Sequence, residues 1–301
     1  QCTIGGMAGN NSCGSRSIYY GNMVHNVLGV DALLADGSAA SFGFVDRFAE
    51  GSQEQRLAQQ VRAIAERVGP EIRDHFPKVL RRVGGYNLDL FDCQNPMPYD
   101  PDGRANLAHL LVGSEGTLGV SQRIKLRLSP LPEQKVLGVV NFPTFYQAMD
   151  FTQHIVKLGP TAVELVDRTM IELSLENPAF RPVIEKALIG KPEAILLVEF
   201  AGHDHAKQLE ALRGLNELMG DLPEAAEQKA LWNVRKAGLN IMMSMKGDGK
   251  PVSFIEDCAV PLEHLAEYTD KLTEVFNRYG TEGTWYAHAG VGTLHVRPIL
   301  D

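Results

Sequence analysis

LLVGSEGTLGV, from Leu110 to Val120, is the stretch on which the reading of this chain turns. Its apolar lead-in, Leu110, Leu111 and Val112, predicts a helix end or a short buried strand, and it runs into Gly113, Gly116 and Gly119 with Ser114, Glu115 and Thr117 between them. Such a loop lets the backbone approach a flat ligand closely. Glycine has no Cβ and reaches positive φ, the hydroxyls add donors, and freed amides can face an anion. A plain glycine-rich connector is the alternative, and the loop by itself does not separate the two.

Downstream, Val120, Ile124, Leu126 and Leu128 against Gln122, Lys125 and Arg127 predict a half-buried strand. Pro130, Leu131, Pro132 and Glu133 then close a first domain, residues 1–132, ahead of a second, 133–301. Upstream, GGYNLDLF at 84–91 leads into a loop rich in Pro, Asp and Asn from Asn95 to Gly103. Residues 51–83 read as helical, with Leu57, Val61, Ile64 and Val68 three and four apart and Gly69 and Pro70 as punctuation. Val27 to Leu34 predicts a strand that turns at Ala35, Asp36 and Gly37 and returns over Ala39 to Phe44. Residues 3–21 hold Gly5, Gly6, Gly9, Gly14 and Gly21 beside Asn10, Asn11 and Ser12, too many turn formers for packed helix.

The second domain alternates strand and helix: Lys135 to Asn141, Thr144 to Leu158, Ala162 to Val166, then the apolar run AILLVEF at Ala194 to Phe200. Asp204 is placed to cap a helix over His205 to Leu218, and capping rather than metal binding is the role expected of the His203, Asp204, His205 cluster. This rhythm predicts an α+β fold, a mainly antiparallel sheet with helices on one side.

Composition narrows the function classes. A length of 301 residues suits about two domains, and 44% hydrophobic with 22% charged residues is ordinary globular material. With 29 basic against 37 acidic residues the net charge is −8, so no nucleic acid partner is expected. Cys2, Cys13, Cys93 and Cys258 form no CxxC pair, which predicts a reducing compartment and neither a disulfide framework nor a cysteine metal site. No apolar run approaches the roughly 20 residues of a membrane span, and no basic-then-apolar leader opens the chain. Opening on QCTIGG, in mid-motif, predicts a piece of something longer.

In order along the chain, TIGGMAGNNSCG with YYG, VLGVDALLADG, GGYNL and HLLVGSEGTLGV resemble the second half of the FAD-binding domain of vanillyl-alcohol-oxidase type flavoenzymes. The branch is the FAD-linked D-2-hydroxyacid dehydrogenases, the D-lactate, glycolate and D-2-hydroxyglutarate enzymes. AVELVDR at 162–168, LWNVRKA at 231–237, FIEDCAVP at 254–261 and YAHAGVGTLHVRP at 286–298 carry the resemblance through the second domain. It implies the second subdomain of an FAD-binding domain followed by an α+β cap domain. LHVRPIL and the insertion at 89–106 look most like large bacterial members with an iron-sulfur domain further along; no such cluster motif stands in this chain. The fold's first FAD subdomain is expected to precede Gln1.

By this resemblance Gly5, Gly6, Asn11, Ser12 and Gly14 line the flavin and pyrophosphate, and Gly113, Ser114, Glu115, Gly116, Thr117 and Gly119 run along the cofactor. No GxGxxG follows an opening strand, so no nicotinamide site is expected. His288 and His295 fall on paired metal ligands, for zinc or another divalent ion. Seven positions apart on an unbroken strand they would face opposite sides, so Gly290, Val291 and Gly292 must bend the chain. The family's usual acidic residue and Asn are replaced here by Val291 and Thr293. A third ligand and the catalytic base, an acidic residue and a histidine in the family, are expected beyond Asp301.

Arg235 matches the arginine that holds the substrate carboxylate, a task that suits a planar guanidinium. Lys250, in the glycine-rich KGDGK, is placed near the same site, and Arg297 would serve a second carboxylate of a diacid. The implied activity is hydride transfer from a D-2-hydroxy acid to FAD. Its partners are a small-molecule substrate and an electron acceptor, in the cytoplasm or peripheral at the inner membrane, with a homo-oligomer left open. Two other readings compete: a metal-dependent hydrolase on His288 and His295, with His203, His205 or Glu256 as third ligand, and a non-catalytic binding fragment.

Overall fold

The computed structural model describes residues 2–91, 103–219, 228–243, 245 and 248–300. Cys93, most of the loop from Asn95, and Lys246 and Gly247 of KGDGK lie outside the described residues. The chain divides into two compact units: Gln1–Gly14, Tyr20–Lys78 and Arg82–Pro130 form the first, and Ser15–Tyr19, Val79–Arg81 and Leu131–Asp301 the second.

In the first unit β1 (Val27–Leu33), β2 (Ala39–Phe42) and β3 (Val120–Leu126) form an antiparallel sheet in the order β2-β1-β3. Between β1 and β2, Asp36 accepts from the Ser38 amide at 2.9 Å while Gly37, at φ +81°, donates to Leu34 O. Val30, Ala32, Ala40 and Phe42 point into a core closed by Leu107, Leu111 and the helix Gln53–Arg67. That helix begins on Ser52, whose hydroxyl accepts from the Gln55 amide. Helix does not continue to residue 83 as the periodicity predicts. A second helix, Gly69–His75, stops at an extended Phe76, because the residue before Pro77 is driven out of the helical region.

Two further expectations are corrected here. Ile4–Gly9 is helical despite its glycines, since Thr3 caps it and accepts from the Gly6 amide; Ala8 alone is buried, so it is helix but hardly packed. β3 is not evenly half-buried: Ile124 and Leu126 meet the core, while Val120 and Leu128 stand 65% and 85% exposed. Among the described residues β3 is an edge strand, with β1 as its one partner in this sheet.

The second unit is built on β4 (Gln134–Phe142), β5 (Ala162–Asp167), β6 (Ala194–Gly202), β7 (Lys250–Pro251), β8 (Ile255–Ala259), β9 (Gly283–His288) and β10 (Thr293–Leu300). The order is β4-β6-β5-β9-β10-β7, with β8 also on β10, and every pair is antiparallel. Along β6, Ala194, Leu196, Val198 and Phe200 face one core, with Met149, Leu215 and Phe276 from helices Phe145–Ile155, His205–Met219 and Leu265–Arg278. Ile195 and Leu197 face another, with Met170, Ile184 and Leu231 from Arg168–Glu176, Arg181–Ala187 and Gln228–Lys236. Helices therefore cover both faces rather than the one expected, because central strands apolar on both sides need cover on both.

Candidate functional site

The second face changes character toward β9 and β10, where it becomes polar. His288 ends β9, the chain turns through Ala289–Val291 and Gly292 (φ +68°), and β10 returns with Thr293 opposite His288 and His295 opposite Tyr286. The bend demanded by the two histidines is thus a complete hairpin turn. Directly opposed residues point the same way, so Tyr286, His288, His295 and Arg297 share one face. Gly292 is obligatory, since a Cβ there would lie 2.0 Å from Val260 O. The two imidazoles stand edge to face, centroids 5.1 Å apart at 84°, and Tyr286 stacks on His295 at 4.5 Å.

Each imidazole meets a carboxylate. Glu164, 1% exposed in β5, sets Oε1 and Oε2 2.9 and 3.0 Å from His288 Nδ1. Asp257 sets Oδ1 2.9 Å from His295 Nδ1. It reaches there from a register shift: Leu294 pairs with Cys258 and Val296 with Ile255, so Glu256 and Asp257 both oppose His295, and Asp257 takes φ +57°. Glu256 instead pairs with Arg297. Burial, seconded by the neighbouring His288, pulls the His295 pKa down to about 4 despite Asp257, so its ring is neutral at neutral pH. Burial pushes Glu256 up, but bonds from Ser253 and Arg297 outweigh it and hold the carboxyl low. Burial likewise raises Tyr286, against the pull of Arg297.

Arg235 comes from helix Gln228–Lys236 and is 8% exposed. Its guanidinium lies 5.0 Å from the Tyr286 ring, and Nη2 is 2.7 Å from Glu164 Oε2. Among the described residues neither Nε nor Nη2 has a partner aligned for a hydrogen bond; the buried indole N–H of Trp232, one turn earlier, has none either. Arg297 adds a second guanidinium 5.7 Å from Tyr286. Close by on the same face, Arg16 clamps buried Glu199 at 2.7 Å through both Nε and Nη2 and lies over Trp232 at 4.9 Å.

The structure therefore brings Arg235, His288, His295 and Arg297 together, and leaves Lys250 out. Lys250 pairs with Leu300, five residues along β10 from His295 or roughly 17 Å of strand, and donates to Met245 O. Of the proposed third ligands, His203 lies 3.7 Å from Glu133, His205 opens a helix that Asp204 caps, and Glu256 is taken by Arg297. Glu164, Asp257, Tyr286 and the Arg16–Glu199 pair are absent from the sequence reading. A visible signal existed for two of them: a lone carboxylate inside AVELV and inside AILLVEF is unlikely company for a strand core unless it is engaged.

In the first unit the two glycine-rich stretches, about a hundred residues apart, are stitched together: Gly113 N donates to Ala8 O and Glu115 N to Gly9 O, both at 3.0 Å. The glycines divide by use. A Cβ at Gly113 (φ +83°) would meet Gly85 O at 3.2 Å and Asn11 Cβ at 3.3 Å, and one at Gly119 would meet Leu33 O at 3.0 Å, so the chain itself needs them bare. At Gly5 and Gly14 a Cβ would meet nothing within 4 Å; the same holds at Gly116, but its φ of +78° calls for glycine on backbone grounds alone. The hydroxyls are largely spent inside the loop, Ser114 on Leu111 O and Thr117 on Ser114 O and Tyr86. Asn11 accepts from the Val24 amide, as Ser12 O does from Met23, and its own buried Nδ2 has no partner among the described residues.

Residues 131–301 match the family described as FAD linked oxidases, C-terminal domain, and residues 1–43 match an FAD binding domain. The chain belongs to the FAD-linked oxidases. Among its relatives is a D-2-hydroxyglutarate dehydrogenase of Pantoea ananatis, 28% identical over all of this chain and 31% of that protein. Another is a D-lactate dehydrogenase of Archaeoglobus fulgidus, 27% identical over 99% of the chain and 54% of the relative. The fold is shared with an alkyldihydroxyacetonephosphate synthase at TM-score 0.61 and 14% identity, covering 98% of this chain and 49% of that one. The chain spans about a third of the length of the D-2-hydroxyglutarate dehydrogenases it matches. No helix among the described residues is long and apolar enough to cross a membrane.

The first unit suits the dinucleotide that this family's name implies. Open space at Gly5 and an Asn11 amide with no partner among the described residues leave room and a donor beside the stitched loops. For a metal, among the described residues no group of three or more His, Cys, Asp or Glu side chains gathers.

Proposed function

We propose that this chain supplies the substrate-binding face, and part of the FAD cradle, of a dehydrogenase that oxidises a D-2-hydroxy acid. The observation that carries the reading is Arg235: a buried guanidinium whose Nε has no hydrogen-bond partner among the described residues, on the same sheet face as the His288 and His295 pair. A buried N–H without a partner is costly, and a substrate carboxylate would satisfy it bidentately. The relatives named as D-2-hydroxyglutarate and D-lactate dehydrogenases support this substrate class.

Gly5, Gly6, Asn11, Ser12 and Gly14, with the loop from Gly113 to Gly119, would hold FAD. His288 and His295 would hold zinc or another divalent ion through Nε2, since both Nδ1 atoms are engaged. FAD held there would supply the hydride acceptor, and a cation on the two histidines would supply polarisation of the substrate hydroxyl. Arg235 fixes the carboxylate, and Arg297, once freed from Glu256, is placed for a second one. An electron acceptor that reoxidises the flavin completes the reading.

The test is anaerobic reduction of the flavin in the full-length protein. D-lactate or D-2-hydroxyglutarate is expected to bleach the flavin band, and Arg235→Met to slow bleaching by at least about 100-fold with FAD retained. Unchanged bleaching in that variant, or none with either acid in the parent, defeats the reading.

A further inference from the structure

This inference rests on the reading above in one respect, that a substrate carboxylate sits on Arg235. Two Arg–Glu pairs stand on this face of the sheet, and they are built differently. Arg16 meets Glu199 fork to fork, Nε on Oε1 and Nη2 on Oε2, each at 2.7 Å, and the Glu199 side chain is 1% exposed. Arg297 instead turns Nε and Nη2 onto one oxygen of Glu256, Oε1, with Nε at 2.5 Å. Burial is reversed as well: the Arg297 side chain is 8% exposed and that of Glu256 28%. In the first pair the carboxylate is the buried member, in the second the guanidinium.

Placement gives the second pair its meaning. Arg235 and Arg297 both lie over the Tyr286 ring, 5.0 and 5.7 Å from its centre. Arg235 Nε has no partner among the described residues, whereas Arg297 is filled by Glu256. Glu256 belongs to the bulge of β8 against β10, the kind of irregularity by which a strand re-aims a side chain. A hydroxy acid held by its first carboxylate on Arg235 therefore meets, at the same aromatic ring, a cation already matched by a carboxylate of the chain. An uncharged tail finds no net charge there. A second carboxylate finds Glu256 in its place, and like charges at contact repel.

We propose that Glu256 is a specificity-determining residue: it stands on Arg297 where a substrate's second carboxylate would, and so sets the balance between monocarboxylate and dicarboxylate 2-hydroxy acids. With Glu256 seated, the site takes a monoacid. A diacid has to replace Glu256 with its own carboxylate, exchanging one guanidinium–carboxylate pair for another and leaving Glu256, already partly exposed, to water. The same exchange is closed at Arg16, because a released Glu199 would be a buried charge without a partner. Discrimination then comes from a repulsive group as much as from an attractive one.

The test is calorimetric titration of the full-length protein with propanoate and with glutarate, the hydroxyl-free counterparts of D-lactate and D-2-hydroxyglutarate, which cannot be oxidised at the missing hydroxyl. Glu256→Gln keeps the shape and removes the charge, and is expected to tighten glutarate about 10-fold relative to propanoate. Arg297→Gln should lower that ratio about 10-fold below the parent, and Glu256→Gln added to it should bring no gain. A crystal structure of the parent with glutarate, which needs no variant to fold, should show Glu256 turned off Arg297 and a carboxylate of the ligand in its place. An equal change for both acids in Glu256→Gln, a gain that persists without Arg297, or glutarate bound with Glu256 still on Arg297 overturns the proposal. If Arg235→Met abolishes propanoate binding while the ratio ignores Glu256, this inference alone fails. If neither acid binds the parent, the carboxylate reading of Arg235 fails and the inference falls with it.

Discussion

The glycine loops of the first unit and the polar sheet face of the second solve opposite problems. The loops make their site from backbone: few side chains are committed, and what matters is where no atom stands, as at Gly5. The sheet face makes its site from charged side chains buried in pairs, Arg16 with Glu199 and Arg235 with Glu164. A backbone site is written contiguously in sequence, because amides and missing Cβ atoms belong to neighbours in the chain. A side-chain site is assembled across strands, and its members are coupled, so removing one strands another in low dielectric.

The contrast can be broken most severely at the hairpin. Gly292→Ala places a Cβ against Val260 O at a left-handed position, and a loss of about 3 kcal/mol or more is expected. Both tryptophans, Trp232 and Trp285, lie in the second unit, so their fluorescence during urea unfolding reads this loss directly. A variant as stable as the parent would mean that the hairpin yields cheaply and does not hold the histidines in place.

Arg16→Leu leaves the Glu199 carboxylate buried without its clamp. Breaking such a pair should cost about 3 kcal/mol, read by the same fluorescence, and Glu199→Gln on top of Arg16→Leu should restore part of it. No recovery in the double variant would show that Arg16 acts by packing on Trp232 rather than by charge.

His295 sharpens the comparison by pH. Its folded pKa lies near 4, below the ordinary 6.5 of an unfolded histidine, so the unfolded chain binds the proton first as pH falls. Stability is full above pH 6.5, declines by roughly 2–3 kcal/mol between 6.5 and 4, and levels off below. Histidine carbon-2 proton shifts followed from pH 8 to 4 in the metal-free chain check this, and titration of His295 near 6.5 would remove it. Asp167 works in the opposite sense. Burial, against bonds from the Met170 and Trp285 amides, raises it to about 6, so its contribution is greatest below pH 3.8 and is lost as pH climbs through 6.

The smallest expected effect separates the glycines. Gly113→Ala should cost about 1–2 kcal/mol, from positive φ and a crowded Cβ. Gly5→Ala, in open space on an exposed helix, should change stability by less than about 0.5 kcal/mol yet lower flavin retention. Hydrogen exchange of the β1 amides measures the first quantity, and desalting after FAD loading in the longer protein measures the second. Equal flavin retention in Gly5→Ala and the parent would leave Gly5 without a ligand role.

Much of this was legible in the sequence. The strands read over 135–141 and 194–200, which the structure extends to Gln134–Phe142 and Ala194–Gly202, the Asp204 cap and the β1–β2 turn follow from local periodicity and turn chemistry. Less legible were the corrected places, each decided by something outside its own window. Phe76 leaves the helix because of Pro77, β3 is uneven because it is an edge, and helices cover both faces because β5 and β6 lie centrally.

By itself the sequence determined the two glycine-rich stretches and the strands and helices with a clear local period, because each is set by residues near one another along the chain, while the histidine pair and the arginine beside Trp232 were singled out by the family resemblance. Only the tertiary structure decided that Glu164 serves both Arg235 and His288, that Asp257 reaches His295 from a bulge, and that Lys250 stands apart. Those facts depend on β5 lying beside β9 and on β8 slipping register against β10, and strand order and register are chosen by packing over separations of more than a hundred residues.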